Sequence, residues 1–148
     1  MEVTFSLLHV DLMVENMERE LAFYTDVLDF EVFEDCVLKS KDFLFLSEGL
    51  ATSMRLVFLG RNKRSTMIEL VQFLTDSGQP IQVSQLKFKW NLSLLVNDLE
   101  EAQQHLSKKG LKPLTSPHAL SLPSMGKANV VFYIDPEGFF LELVAPIY

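Results

Sequence analysis

Cysteine is almost missing from this sequence: Cys36 is the single one, so no internal disulfide holds the fold together. Long hydrophobic runs are missing too, since none approaches the ~20 apolar residues that span a bilayer. Positive charge is short, with 13 Lys and Arg against 20 Asp and Glu and a net charge of -7. That surplus opposes adhesion to phosphate backbones or anionic lipid, which excludes nucleic-acid and membrane partners. The start, Met1 and Glu2, is acidic and is not followed by a basic-then-apolar leader, so a cytoplasmic location is expected. What remains is a chain of 148 residues, the size of one ordinary domain, handling a small molecule or another protein.

The chain is expected to be one domain, 1–148, built from two halves that echo each other. The first opens with a strand-like run from Phe5 to Val14 and a helix from Glu15 to Leu28; the second opens with Phe88 to Val96 and a helix from Asn97 to Lys109. Val14 and Val96 register the copies. Met17, Leu21, Tyr24 and Leu28 form one apolar helical stripe, and Leu99, Ala102 and Leu106 form the other. Asn97 with Glu100 reads as a capping box, and Gly110 as a helix terminator. Short apolar segments follow each helix: Phe30 to Leu38, Phe43 to Leu46, Met54 to Leu59 and Met67 to Phe73, then Leu111 to Leu114, Val130 to Ile134 and Phe139 to Val144. The pattern is α+β: two βαβββ modules, about residues 5–74 and 86–146, joined through the polar stretch Thr75 to Pro80. The expected architecture pairs them into one curved mixed sheet around one cleft, with the helices outside.

Three segments carry a resemblance to a known family. They are Leu8-His9-Val10 with Val14 and the helix end Phe23 to Phe30; Met67-Ile68-Glu69-Leu70-Val71; and Phe132 to Leu143, which contains Asp135-Pro136-Glu137-Gly138. From Leu7 to Pro146 the chain resembles the vicinal oxygen chelate superfamily, which includes glyoxalase I, extradiol dioxygenases and bleomycin-resistance proteins. The resemblance implies a metal held by one residue on each of four inner strands, at positions matching His9, Glu69, Asn91 and Glu142. Asn91 is a departure, because the family usually has histidine there. Met13 and Phe73 stand where the bacterial glyoxalases have the arginine and asparagine that hold glutathione.

Strand parity tests this assignment independently, since alternate residues face opposite sides of a sheet. Leu8, Val10, Leu12 and Val14 make one aliphatic face, and His9 shares the other with Leu7, Asp11 and Met13. Phe88, Trp90, Leu92, Leu94 and Val96 likewise oppose Asn91, Lys89, Ser93 and Leu95. Glu69 interrupts a face of Met67, Val71 and Phe73, and Glu142 one of Phe140 and Val144. Two glutamates converging in a partly dry cavity repel unless a cation offsets them. One imidazole and two carboxylates suit divalent Zn, Ni, Mn or Fe, with Asn91 a weak fourth donor.

The function implied is a glyoxalase-like, metal-dependent lyase or isomerase in which Glu142 or Glu69 moves a proton. Its substrate would be a small, largely apolar carbonyl or vicinal-oxygen compound. Met13, Met67, Phe73, Leu95 and Phe140 would line the pocket, with Asp11 at its rim or behind a ligand. Two alternatives stay open: a metal-free, bleomycin-resistance-like binding protein, and a dioxygenase. A homodimer is common in the family and is expected here. His105 reads as solvent-exposed on its helix, and His118 as part of a surface loop from Ser116 to Gly126. Cys36 is read as packing, and Arg61, Lys63 and Arg64 as a solvated turn.

Overall fold

A computed structural model describes residues 2–87, 89–134 and 140–148. Phe88 and residues 135–139, both named in the readings above, lie outside the described residues. No helix among those described is long and apolar enough to cross a membrane. The chain is α+β and runs βαβββ twice.

In the first module β1 (Phe5–Met13) leads to α1 (Met17–Ala22), whose first turn is capped by Asn16 Oδ1 accepting from Arg19 N at 3.0 Å. One continuous helix to Leu28 was expected; instead α1 widens into a π-helical turn over Phe23–Val27. Within it Thr25 Oγ1 donates back to Leu21 O at 2.8 Å, a local bond that competes with the regular helical ladder. Then come β2 (Glu31–Lys39), β3 (Ser53–Gly60) and β4 (Met67–Leu74). Phe43 to Leu46, expected as a strand, is a short helix, α2. A four-residue apolar run cannot distinguish the two by periodicity. Local bonds decide it: Asp42 N donates to Ser40 Oγ at the entrance, and at the exit Ser47 Oγ accepts from Ala51 N.

The second module repeats the order with β5 (Trp90–Val96), α3 (Leu99–Lys108), β6 (His118–Leu122), β7 (Gly126–Ile134) and β8 (Phe140–Ile147). Three expectations are corrected. Asp98, not Asn97, caps α3, accepting from Glu101 N at 2.9 Å. Asn97 instead holds the chain start, accepting from Thr4 N and donating to Glu2 O. Leu111 to Leu114 is not a strand: Leu111 N bonds back to Leu106 O and packs beneath α3. Ser116 to Gly126 is no plain loop either, because His118 to Leu122 pairs antiparallel with β7. His118, Leu120 and Leu122 are half-buried between exposed Ala119 and Ser121, a short alternation hidden among serines and prolines.

Backbone proximity divides the chain into two compact units, Val10–Trp90 and Met1–His9 with Asn91–Tyr148. In the first, β2 pairs with β3 and β3 with β4, all antiparallel, with a bulge between Val32 and Glu34. In the second, β8 lies between β5, to which it is parallel, and β7, to which it is antiparallel; β6 forms the outer edge. Each unit has its own core on the helix side. One holds Val14, Met17, Val57, Leu59 and Leu70, with Leu12, Leu21 and Tyr24 against them. The other holds Val96, Ala102, Val131, Tyr133 and Leu143, with Leu94, Leu99 and Leu106. The two cores correspond in register, Leu12 to Leu94, Val14 to Val96 and Leu70 to Leu143. Leu28 alone drops out of the expected stripe and is exposed.

Candidate metal centre

Once the helices cover one face of each strand, the residues of opposite parity are committed to the other. On β1 these are His9, Asp11 and Met13, all buried, while Leu8, Val10 and Leu12 between them are half-buried. On β4 they are Met67, Glu69, Val71 and Phe73, also buried. His9 is 3% exposed, Asp11 5% and Glu69 6%. One ligand atom from each of these three lies within 4.8 Å of the other two. His9 and Asp11 are two residues apart on one continuous strand, so strand geometry fixes their common face.

A nitrogen and two carboxylate oxygens at this spacing match the donor set of a divalent cation that accepts imidazole and oxygen together. The residues therefore fit the metal that the sequence implies. Asp11, read from sequence as a rim or supporting residue, stands with the donors themselves.

In the second module β5 buries Asn91 (2% exposed) and Ser93 (0%) on the face away from α3. The parallel register sets Ser93 opposite Glu142 on β8. Ser93 Oγ donates to Glu142 Oε1 at 2.8 Å, and Glu142 is half-buried. Of the expected pocket residues, Met13, Met67, Phe73 and Phe140 are buried and Leu95 is half-buried.

Sequence reasoning passed over two residues on these faces. Ser93 was seen only as a face-mate of Asn91, though a hydroxyl level with a glutamate is legible once β5 and β8 are paired. Glu34, 2% exposed, lies on β2 across from Phe58, which is itself across from Glu69. Parity with Leu38 would have placed it on this face. Burial above all, then the hydrogen bond to Glu34 and the charges of Glu34, Asp35 and Glu69, push the Cys36 thiol up to about 12. A thiol held protonated is a poor nucleophile, in keeping with a packing role. On the outer face Arg55 Nη2 and Nε bind Asp35 and Nη1 binds Glu18. Those hydrogen bonds hold the guanidinium well above the usual range. Arg61, Lys63 and Arg64 are exposed, as is His105.

The family model described as Glyoxalase/Bleomycin resistance protein/Dioxygenase superfamily matches residues 6–143. No curated protein matches the chain. Solved structures do. Methylmalonyl-CoA epimerase from Mycobacterium tuberculosis is 19% identical, with a TM-score of 0.62 over 96% of this chain and 88% of that one. A glyoxalase/bleomycin resistance protein/dioxygenase superfamily member from Vibrio splendidus 12B01 is 16% identical, with a TM-score of 0.56 over 97% and 100%. A mutant 4-hydroxymandelate synthase from Streptomyces coelicolor is 16% identical, with a TM-score of 0.67 over 98% of this chain and 49% of that one. At such identities the likeness is one of fold.

Proposed function

The chain belongs to the Glyoxalase/Bleomycin resistance protein/Dioxygenase superfamily, and from that premise we propose that it is a metal-dependent lyase or isomerase of glyoxalase type. The observation that carries this reading is the buried meeting of His9, Asp11 and Glu69 within 4.8 Å. In this proposal those three hold a divalent cation. Asn91 is left out of the ligand set because an amide oxygen is a poorer donor than imidazole to borderline metals. A bound ion supplies Lewis acidity at a substrate carbonyl or at one of two vicinal oxygens.

The chain's own groups then do two things. Glu142 takes a proton from the carbon beside that carbonyl and returns it, the work of a positioned carboxylate. Met13, Met67, Phe73 and Phe140 supply apolar surface, which favours a small, largely apolar substrate over a peptide rich in carboxylates. The fold alone leaves the reaction open, so the metal is the point to test. Calorimetric titration of chelator-treated protein with Zn(II), Ni(II), Mn(II) and Fe(II) should give one ion per chain. Binding should be lost in His9→Ala and Glu69→Gln, and an anomalous map should place the ion on His9, Asp11 and Glu69. Wild-type protein that binds none of the four ions would overturn the metalloenzyme and leave a metal-free binding protein.

A further inference from the structure

The two halves of the chain place different chemistry at equivalent positions. Counting back five residues from Val14 and from Val96 gives His9 and Asn91; counting back three gives Asp11 and Ser93. Glu69-Leu70-Val71 and Glu142-Leu143-Val144 are the matching segments of β4 and β8, and Leu70 and Leu143 occupy the same place in their respective cores. Glu69 thus has Asp11 in its neighbourhood, while Glu142 has Ser93.

The exchange changes what the glutamate requires. Two carboxylates close together in a buried place repel, and a cation or a shared proton relieves them. A carboxylate beside a hydroxyl is relieved in part by the hydroxyl itself, which donates to it directly. The second arrangement is the one present: Ser93 is fully buried and its Oγ donates to Glu142 Oε1 at 2.8 Å. The parallel pairing of β5 and β8, with Ser93 level with Glu142 and Leu92 and Leu94 level with Leu141 and Leu143 on either side, fixes that geometry from the backbone.

We propose that Ser93 is a positioning residue, whose hydroxyl fixes the orientation of the Glu142 carboxylate and equips Glu142 to move protons without being a metal ligand. The assignment of the proton to Glu142 rests on the function proposed above; the role of Ser93 in orienting it does not. The two halves then divide the work: Asp11 recruits a cation beside Glu69, and Ser93 takes the cation's place beside Glu142.

The test uses the full chain as wild type, Ser93→Ala and Ser93→Thr. Crystal structures should show the Glu142 carboxylate displaced in Ser93→Ala and returned to its wild-type position in Ser93→Thr, which keeps the hydroxyl. Zn(II) affinity by calorimetry should be unchanged in all three. Glu142 unmoved in Ser93→Ala would overturn the proposal, as would equal displacement in Ser93→Thr with both thermal midpoints lowered, which marks a packing role. A loss of Zn(II) affinity of at least about tenfold in Ser93→Ala, the usual effect of removing a ligand's hydrogen-bond partner, would make Glu142 a ligand and overturn the division of work. If wild type binds no Zn(II), the metal reading fails by itself, and the position of Glu142 in the two variants still decides the role of Ser93.

Discussion

Replacing Asp11 by asparagine keeps the shape of the side chain and removes one negative charge from the cluster. Asp11 and Glu69 offer oxygens no more than 4.8 Å apart. At an effective dielectric of about 20, two unit charges at that distance repel by about 3.5 kcal/mol. Metal-free Asp11→Asn should therefore be more stable than wild type, by an amount of the order of that repulsion or less once the lost contacts of Asp11 are counted. About 2 to 4 °C of midpoint accompany each kcal/mol in a domain of this size, so a rise of several degrees is expected.

Metal acts in the opposite direction and favours wild type. At a Zn(II) concentration 100 times the wild-type dissociation constant, binding stabilises wild type by about 2.7 kcal/mol. If the substitution weakens binding about 100-fold, the same concentration stabilises Asp11→Asn by only about 0.4 kcal/mol. Thermal melts of both proteins with and without Zn(II) read all four quantities. A less stable metal-free variant that still gains as much from Zn(II) as wild type would refute the claim that these carboxylates form a cation site.

Two further outcomes follow from the packing. The Cys36 thiol is raised from 9.0 to about 12, so its contribution to stability is whole below pH 9. Above that, the unfolded chain's thiol ionises while the folded one stays protonated, and stability falls as pH rises toward 12. Urea midpoints of wild type and Cys36→Ser should accordingly draw together across that window; parallel curves would show that the thiol is not perturbed. Leu70→Ala and Leu143→Ala should each cost about 2 to 5 kcal/mol in chemical denaturation, since both side chains are enclosed at equivalent places in the two cores. A cost below about 1 kcal/mol for either would break the equivalence of the halves.

The helix-side cores were legible in the sequence because each is a sum of many apolar residues at fixed periods. Leu12, Val14, Leu94 and Val96 all stand where parity placed them. The elements misread were short. Four apolar residues at Phe43 carry no period, and five at His118 alternate too weakly to stand out from Ser116, Pro117 and Pro123. The cap moved from Asn97 to Asp98 because Asn97 is engaged by Thr4 and Glu2, partners more than ninety residues away in sequence that no local pattern carries. The candidate site was half legible for a similar reason. Parity puts His9, Asp11 and Glu69 on faces but does not say which side chains meet, so Asp11 was ranked behind its neighbours. Ser93 needed the β5 to β8 register before its hydroxyl could be matched to Glu142.

Glu69 and Leu70, like Glu142 and Leu143, are adjacent in sequence and point to opposite faces, one polar and one enclosed in a core. A carboxylate at the centre of a strand costs stability, since burial disfavours its charge. The residue beside it recovers that cost: an enclosed leucine contributes about 2 kcal/mol through burial, and the same strand continues into Ile68 or Leu141 on the same face. The helix side of these strands therefore carries a core of the same kind in both halves. The opposite face can exchange His9 for Asn91 or Asp11 for Ser93 between the halves without disturbing either core. That separation explains how one backbone repeat supports the buried His9, Asp11 and Glu69 cluster in its first copy and a hydroxyl-held glutamate in its second.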